Sequence, residues 1–237
     1  MEVPTSHGPA RVVIESQERP WFLVALTHGA GGGVDSADLL AVRDAVLKRG
    51  GTVARITQPY RVRGARAPGS AERQDEAWVE VIAALRAAIA DVTGNAGAHT
   101  TGQASESGPV DGGGWNGGGI PLVQGGRSNG ARVACRTAEA VGAAGVIALA
   151  FPLHPPGHPD RSRASELRVP GRKVLVVNGD RDPFGVPGRG AGRRVVVLAG
   201  ETHALSRHPE AVAKAVRAWL PQVLGPKPTP APAPAQH

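Results

Sequence analysis

Residues 121–141 read Pro-Leu-Val-Gln-Gly-Gly-Arg-Ser-Asn-Gly-Ala-Arg-Val-Ala-Cys-Arg-Thr-Ala-Glu-Ala-Val. Pro121 to Gln124 has the apolar composition of a buried strand, Gly125 to Ser128 is a glycine-rich turn, and Asn129 to Val141 follows a helical pattern. Gly126-x-Ser128-x-Gly130 therefore falls at a strand-to-helix elbow. Such an elbow forces the serine into a strained backbone conformation. Glycines two residues to either side let strand and helix approach without Cβ clashes and leave Oγ exposed. A serine at a helix N-terminus also sits where partial positive charge favours a developing anion. In a chain with 33 glycines the five-residue match carries little weight alone, because a glycine-rich turn with Ser128 as an ordinary N-cap has the same letters. Its surroundings decide.

Working outward, further strand-like runs occur at Arg11 to Ile14, Phe22 to Thr27, Val53 to Thr57, Val146 to Ala150, Lys173 to Asn178 and Arg194 to Leu198. Helical patterns lie between most of them. Ser36 to Arg49 carries Leu39, Leu40, Val42, Val46 and Leu47 near a 3.6 period, with Ser36 or Asp35 as N-cap and Gly50-Gly51 as the stop. Glu72 to Val92 repeats the pattern through Trp78, Val81, Ile82, Leu85 and Ile89, and Pro209 to Leu220 closes the set. Strands alternating with helices predict an α/β fold, a mostly parallel central sheet with helices on both faces.

Three more segments fall just after predicted strands, at the sheet end where parallel folds gather their ligands. His28-Gly29-Ala30-Gly31-Gly32-Gly33 follows the strand ending at Thr27. A glycine loop there supplies one backbone N–H of an oxyanion hole, the other coming from the residue after the nucleophile, so Ala30 and Asn129 are the expected donors. The loop lacks both the G-x-x-x-x-G-K-[ST] pattern and a clean G-x-G-x-x-G with a ribose-binding acid, which disfavours nucleotide binding. Asn178-Gly179-Asp180-Arg181-Asp182-Pro183-Phe184-Gly185 offers a carboxylate to orient a base; Asp182, held extended or in a turn by Pro183, is preferred, with Asp180 as the alternative. Glu201-Thr202-His203-Ala204-Leu205 supplies the base, His203. The chain order Ser, Asp, His is that of the alpha/beta-hydrolase fold, which is the fold expected here, with minimal or no lid because Phe151 to Pro170 is short.

Composition bounds the rest. With 237 residues the natural expectation is one domain, residues 1–224, holding a core of Val, Leu, Ile and Ala, since hydrophobic residues make up 41% of the chain and aromatic ones 3%. Residues 94–119 are Gly- and Ser-rich and read as a flexible insertion; residues 225–237 alternate Pro and Ala and read as a disordered tail. No apolar run approaches the ~20 residues that span a bilayer, and the first ten residues lack a signal-peptide core, so the expectation is a cytoplasmic protein with no membrane partner. The net charge of +7 comes from scattered arginines without interleaved aromatic residues, which argues against nucleic acid. The lone Cys135 excludes a disulfide framework and reads as a small buried residue. His154 and His158 have an i, i+4 spacing, but the prolines between them oppose the helix a metal pair would need, so no metal and no cofactor are expected.

The segments THGAGG at 27–32, GGRSNGARVA at 125–134, FPLHPPG at 151–157, NGDRDPFG at 178–185 and ETHAL at 201–205 give the chain a resemblance to a particular group. It resembles the alpha/beta-hydrolase-like family that includes subunit 3 of the NSL histone acetyltransferase complex and a testis-expressed protein, alongside bacterial members related to dienelactone hydrolase. The resemblance implies Ser128, Asp182 and His203 as a catalytic triad. It departs from the family pattern in the insertion at 94–119 and in Asn129, where small or apolar residues are frequent. The function expected is a serine hydrolase acting on a small ester or related acyl compound, with His28, Gly31, Arg127 and His154 near the substrate. The alternative is a hydrolase-fold protein whose role is binding.

Overall fold

The computed structural model describes residues 1–92 and 120–227, so the expected insertion at 94–119 lies outside the described residues, as does the tail beyond Lys227. The strands are β1 (Glu2–Val3), β2 (Ala10–Glu15), β3 (Leu23–Thr27), β4 (Thr52–Thr57), β5 (Leu122–Arg127), β6 (Gly145–Leu149), β7 (Lys173–Gly179) and β8 (Arg193–Leu198). The helices are α1 (Ala37–Lys48), α2 (Pro59–Val62), α3 (Ala71–Val92), α4 (Asn129–Thr137) and α5 (Pro209–Leu224), with one 3-10 turn at Ala164–Leu167. The eight strands form one sheet in the order β1-β2-β4-β3-β5-β6-β7-β8. β1 and β2 pair antiparallel at one edge, and every pairing from β4 to β8 is parallel.

Alternation along each strand sends side chains to two separate cores. Phe22, Val24, Leu26, Val53, Val123, Ile147, Leu175 and Val177 meet α1 and α5 through Leu39, Val42, Val46, Val212, Val216 and Trp219. Leu23, Ala25, Ala54, Ile56, Leu122, Val146, Ala148, Val174 and Val176 meet α3 and α4 through Trp78, Ile82, Leu85, Val133 and Ala134. Helices thus cover both faces, and the central strands β3, β5 and β6 are buried on both sides. One polar group crosses the second core. Gln124, fully buried, accepts a hydrogen bond from Trp78 Nε1 at 2.7 Å and donates to the Ala134 carbonyl at 2.6 Å, stitching β5 to α3 and α4.

Three short elements escaped the periodicity analysis: β1, α2 and the 3-10 turn, of two, four and four residues, too short for a repeat to register. α4 stops at Thr137 rather than Val141, and the chain continues in turns to Gly142, whose φ of +58° ends the helical trend. Ser36 occupies the N-cap of α1, yet its hydroxyl makes no capping bond and is buried without a partner. The connection from β6 to β7 holds only the 3-10 turn, so no helical lid is inserted there. Among the described residues, no helix is long and apolar enough to cross a membrane.

Candidate active site

Because β3 to β8 run parallel, the loops that follow them emerge at one edge of the sheet. β5 ends at Arg127 and α4 begins at Asn129, leaving Ser128 alone at the bend with φ 52° and ψ −115°. Only over-determined surroundings hold a non-glycine residue there. The Ser128 N–H donates to the Leu149 carbonyl at the end of β6, 2.9 Å away. A Cβ on Gly126 would lie 2.7 Å from the Thr27 carbonyl oxygen and from the Gly130 backbone, and one on Gly130 would lie 2.6 Å from the His28 carbonyl oxygen. Both glycines are therefore required for β5, α4 and the end of β3 to close around the serine.

His203 stands over this bend. Its Nε2 lies 2.9 Å from Ser128 Oγ, and its Nδ1 lies 2.9 Å from Asp182 Oδ2. The Asp182 side chain is completely buried, while that of His203 keeps 21% of its surface accessible. Asp182 Oδ1 accepts the Phe184 N–H at 2.9 Å, and Oδ2 also accepts from Asn178 Nδ2 at 3.2 Å, which fixes the carboxylate and leaves Oδ2 aimed at the imidazole. With Nδ1 donating to the carboxylate, Nε2 is the acceptor that faces the hydroxyl. The Phe184 ring meets the His203 ring edge-on at 4.5 Å. Asp180 turns elsewhere: its Oδ1 accepts the Gly200 N–H at 2.8 Å.

The Ala30 and Asn129 amides border the same bend, and among the described residues no hydrogen bond occupies either N–H. Their other polar atoms are tied down. Tyr60 Oη donates to the Ala30 carbonyl at 3.1 Å, and burial pushes the Tyr60 phenol up to about 12, so the donor proton stays in place. Asn129 Nδ2 donates to Gln74 Oε1 on α3 at 2.5 Å, which turns the amide side chain away from the serine. Gly31 is exposed at the mouth of the loop, with open space where a Cβ would be.

Three residues expected beside the substrate sit differently. His28 is fully buried: Nδ1 bonds the Gly29 carbonyl at 2.8 Å and Nε2 accepts the Gln58 N–H at 3.0 Å. Burial holds its pKa below the usual 6.5, Arg61 adds to the lowering, and the bond to Gly29 partly offsets it. Both ring nitrogens thus serve main-chain architecture. Arg127 is a clamp. Nε bonds the buried Asp38 of α1 at 3.0 Å, and Nη2 donates to the His203 carbonyl at 2.6 Å, joining the elbow to the histidine loop. His154 packs behind the acid loop: its N–H donates to the Phe184 carbonyl, and Nε2 lies 2.9 Å from where a Gly185 Cβ would be. Cys135 is buried on α4, and burial raises its thiol to about 12.

Sequence reading overlooked Asn178 and Tyr60. Asn178 Oδ1 accepts the Phe151 N–H at 3.0 Å and Nδ2 reaches the Phe151 carbonyl at 3.2 Å, so one buried side chain ties the acid loop to the loop after β6. A signal existed: a polar residue ending an otherwise apolar strand. Tyr60, the one tyrosine of the chain, had none beyond its rarity.

Comparison with known proteins agrees with this architecture. The family described as "Alpha/beta hydrolase domain" matches residues 113–195. No curated protein sequence matches the chain. The esterase Est1E from Butyrivibrio proteoclasticus, solved with ferulic acid bound, is 14% identical at a TM-score of 0.67, covering 95% of this chain and 100% of its own. An α/β serine hydrolase without lid from Xanthomonas campestris is 18% identical at 0.65, covering 96% and 95%. Dienelactone hydrolase from Anabaena variabilis is 16% identical at 0.64, covering 94% and 96%.

Proposed function

We propose that this chain, which has the alpha/beta-hydrolase fold, is a serine hydrolase of small esters or related acyl compounds, working through Ser128, His203 and Asp182. The observation that carries this reading is the relay of two 2.9 Å contacts from Ser128 Oγ through the imidazole to a buried carboxylate. His203 Nε2 takes the Ser128 proton as Oγ attacks the acyl carbon, and Asp182 steadies the resulting imidazolium. The carbonyl oxygen, now negative, accepts from the Ala30 and Asn129 amides, neither of which has a hydrogen-bond partner among the described residues. Collapse expels the alcohol, which receives its proton from His203; water activated by the same imidazole then releases the acid and restores Ser128. The short connection after β6 and the accessible imidazole favour a small or exposed acyl substrate. Kinship with the NSL-subunit family, narrower than the fold, rests on FPLHPPG and NGDRDPFG.

Two measurements test it. Purified protein should hydrolyse short-chain p-nitrophenyl esters and react with a fluorophosphonate probe, and both signals should vanish in Ser128→Ala. Failure of both in the folded wild-type chain would overturn the hydrolase reading in favour of a binding role.

A further inference from the structure

At the opposite end of the sheet from Ser128, two turns of the same build deliver arginines side by side. Val169-Pro170-Gly171-Arg172 leads into β7. The Arg172 N–H donates to the Val169 carbonyl at 3.2 Å, and Gly171 takes φ +63°, the type II pattern of proline followed by glycine. Gly190-Ala191-Gly192-Arg193 leads into β8. The Arg193 N–H donates to the Gly190 carbonyl at 3.0 Å, and Gly192 takes φ +68°. Val174 pairs with Arg193 in the parallel ladder, and its N–H donates to the Gly192 carbonyl at 2.9 Å, so the two turns are neighbours.

Between them lies a cleft of about 690 Å³, within the usual range for small-molecule sites. Arg168, Arg172, Lys173 and Arg193 line it, and no acidic residue does. None of the four takes part in an ion pair among the described residues. Lys173 Nζ donates to the Gln222 carbonyl at 2.7 Å. The guanidinium groups of Arg172 and Arg193 reach only main-chain oxygens, at 3.5 and 3.4 Å, and the Nε of each is buried with no partner. Like charges gathered without an acid, and donors withdrawn from water without an acceptor, both oppose folding unless an anion joins them. Guanidinium forks match phosphate oxygens two at a time. The remaining wall, from Leu167, Val169, Pro170 and Ala191, is apolar.

We propose that this cleft binds a small organic phosphate, its phosphoryl group between Arg172 and Arg193 and its apolar body along Leu167 and Val169. A concave site with no aromatic platform suits a small molecule rather than a nucleic-acid strand.

The test titrates phenyl phosphate, inorganic phosphate and a single-stranded oligonucleotide into the full chain carrying Ser128→Ala, by calorimetry. The result is then independent of whether the chain hydrolyses esters. Phenyl phosphate should bind more tightly than inorganic phosphate. Arg172→Gln or Arg193→Gln should weaken it by about tenfold or more, and Arg217→Gln, an exposed cation on α5, should leave it unchanged. Should the inner arginine variants lose their circular-dichroism signature, Arg168→Gln on the exposed rim should still weaken binding several-fold. No binding, equal loss in Arg217→Gln, or tighter Arg172-dependent binding of the oligonucleotide would overturn the proposal.

Discussion

The two ends of the central sheet treat charge in opposite ways. Where β3, β5 and β7 finish, each charged side chain of the site has its counterpart: Asp182 bonds His203 and Arg127 bonds Asp38. Where β7 and β8 begin, four cations share a cleft with no carboxylate. Hydrogen-bonded turns and paired strands build the backbone at both ends; the difference in charge lies in the side chains. An internally neutralised constellation has its charges positioned before substrate arrives, which is what transition-state stabilisation requires. An uncompensated one stores its compensation for something that binds.

The contrast can be broken first at the serine. Ser128→Ala should lower kcat/KM for a short p-nitrophenyl ester by at least ~10⁴-fold. Asp182→Asn should cost ~10³-fold or more in kcat, whereas Asp180→Asn should leave it nearly unchanged, because only Asp182 touches the imidazole. The clamp comes next. Arg127→Met frees the His203 loop and strands the buried Asp38 carboxylate, so kcat should fall by roughly 10- to 100-fold while KM changes little, with partial recovery in Arg127→Lys.

Stability measurements extend the comparison to the interior. Gln124→Ala leaves the Trp78 indole N–H and an Ala134 carbonyl lone pair unpaired in a dry core and should cost about 2 kcal/mol in urea unfolding. His28 carries a smaller, pH-dependent effect. Its folded pKa lies below 6.5, so the unfolded chain binds the proton more readily. Stability should be full above 6.5 and decline as pH falls below it toward the folded value; His28→Gln should flatten that slope. At the basic end, Arg193→Gln should change the melting temperature least, or raise it, since it removes repulsion and breaks no ion pair.

Much of the fold was legible because its signals are local. Each of the seven strands read from sequence is present, with ends shifted by at most one residue except that β5 runs on through Gly125 to Arg127, residues read as the turn; the central strands stood out because burial on both faces demands apolar runs. Ser128, Asp182 and His203 were legible as candidates because each follows a strand, and parallel strands bring those positions to one edge. His28 was misread for the same reason: it too follows a strand, but its ring turns inward to cap the Gln58 N–H, which no spacing encodes. Arg127 was named without its task, because Asp38 is 89 residues away in the chain.

The sequence by itself determined the parallel sheet, the elbow at Ser128 and the order of the candidate residues, since hydrophobic period and glycine placement are properties of neighbouring residues. Only the tertiary structure decided which aspartate meets His203, which histidine is architectural, and that Arg172 and Arg193, twenty-one positions apart, face one cleft. Such choices depend on where side chains converge after long loops close, and distance along the chain carries no record of that.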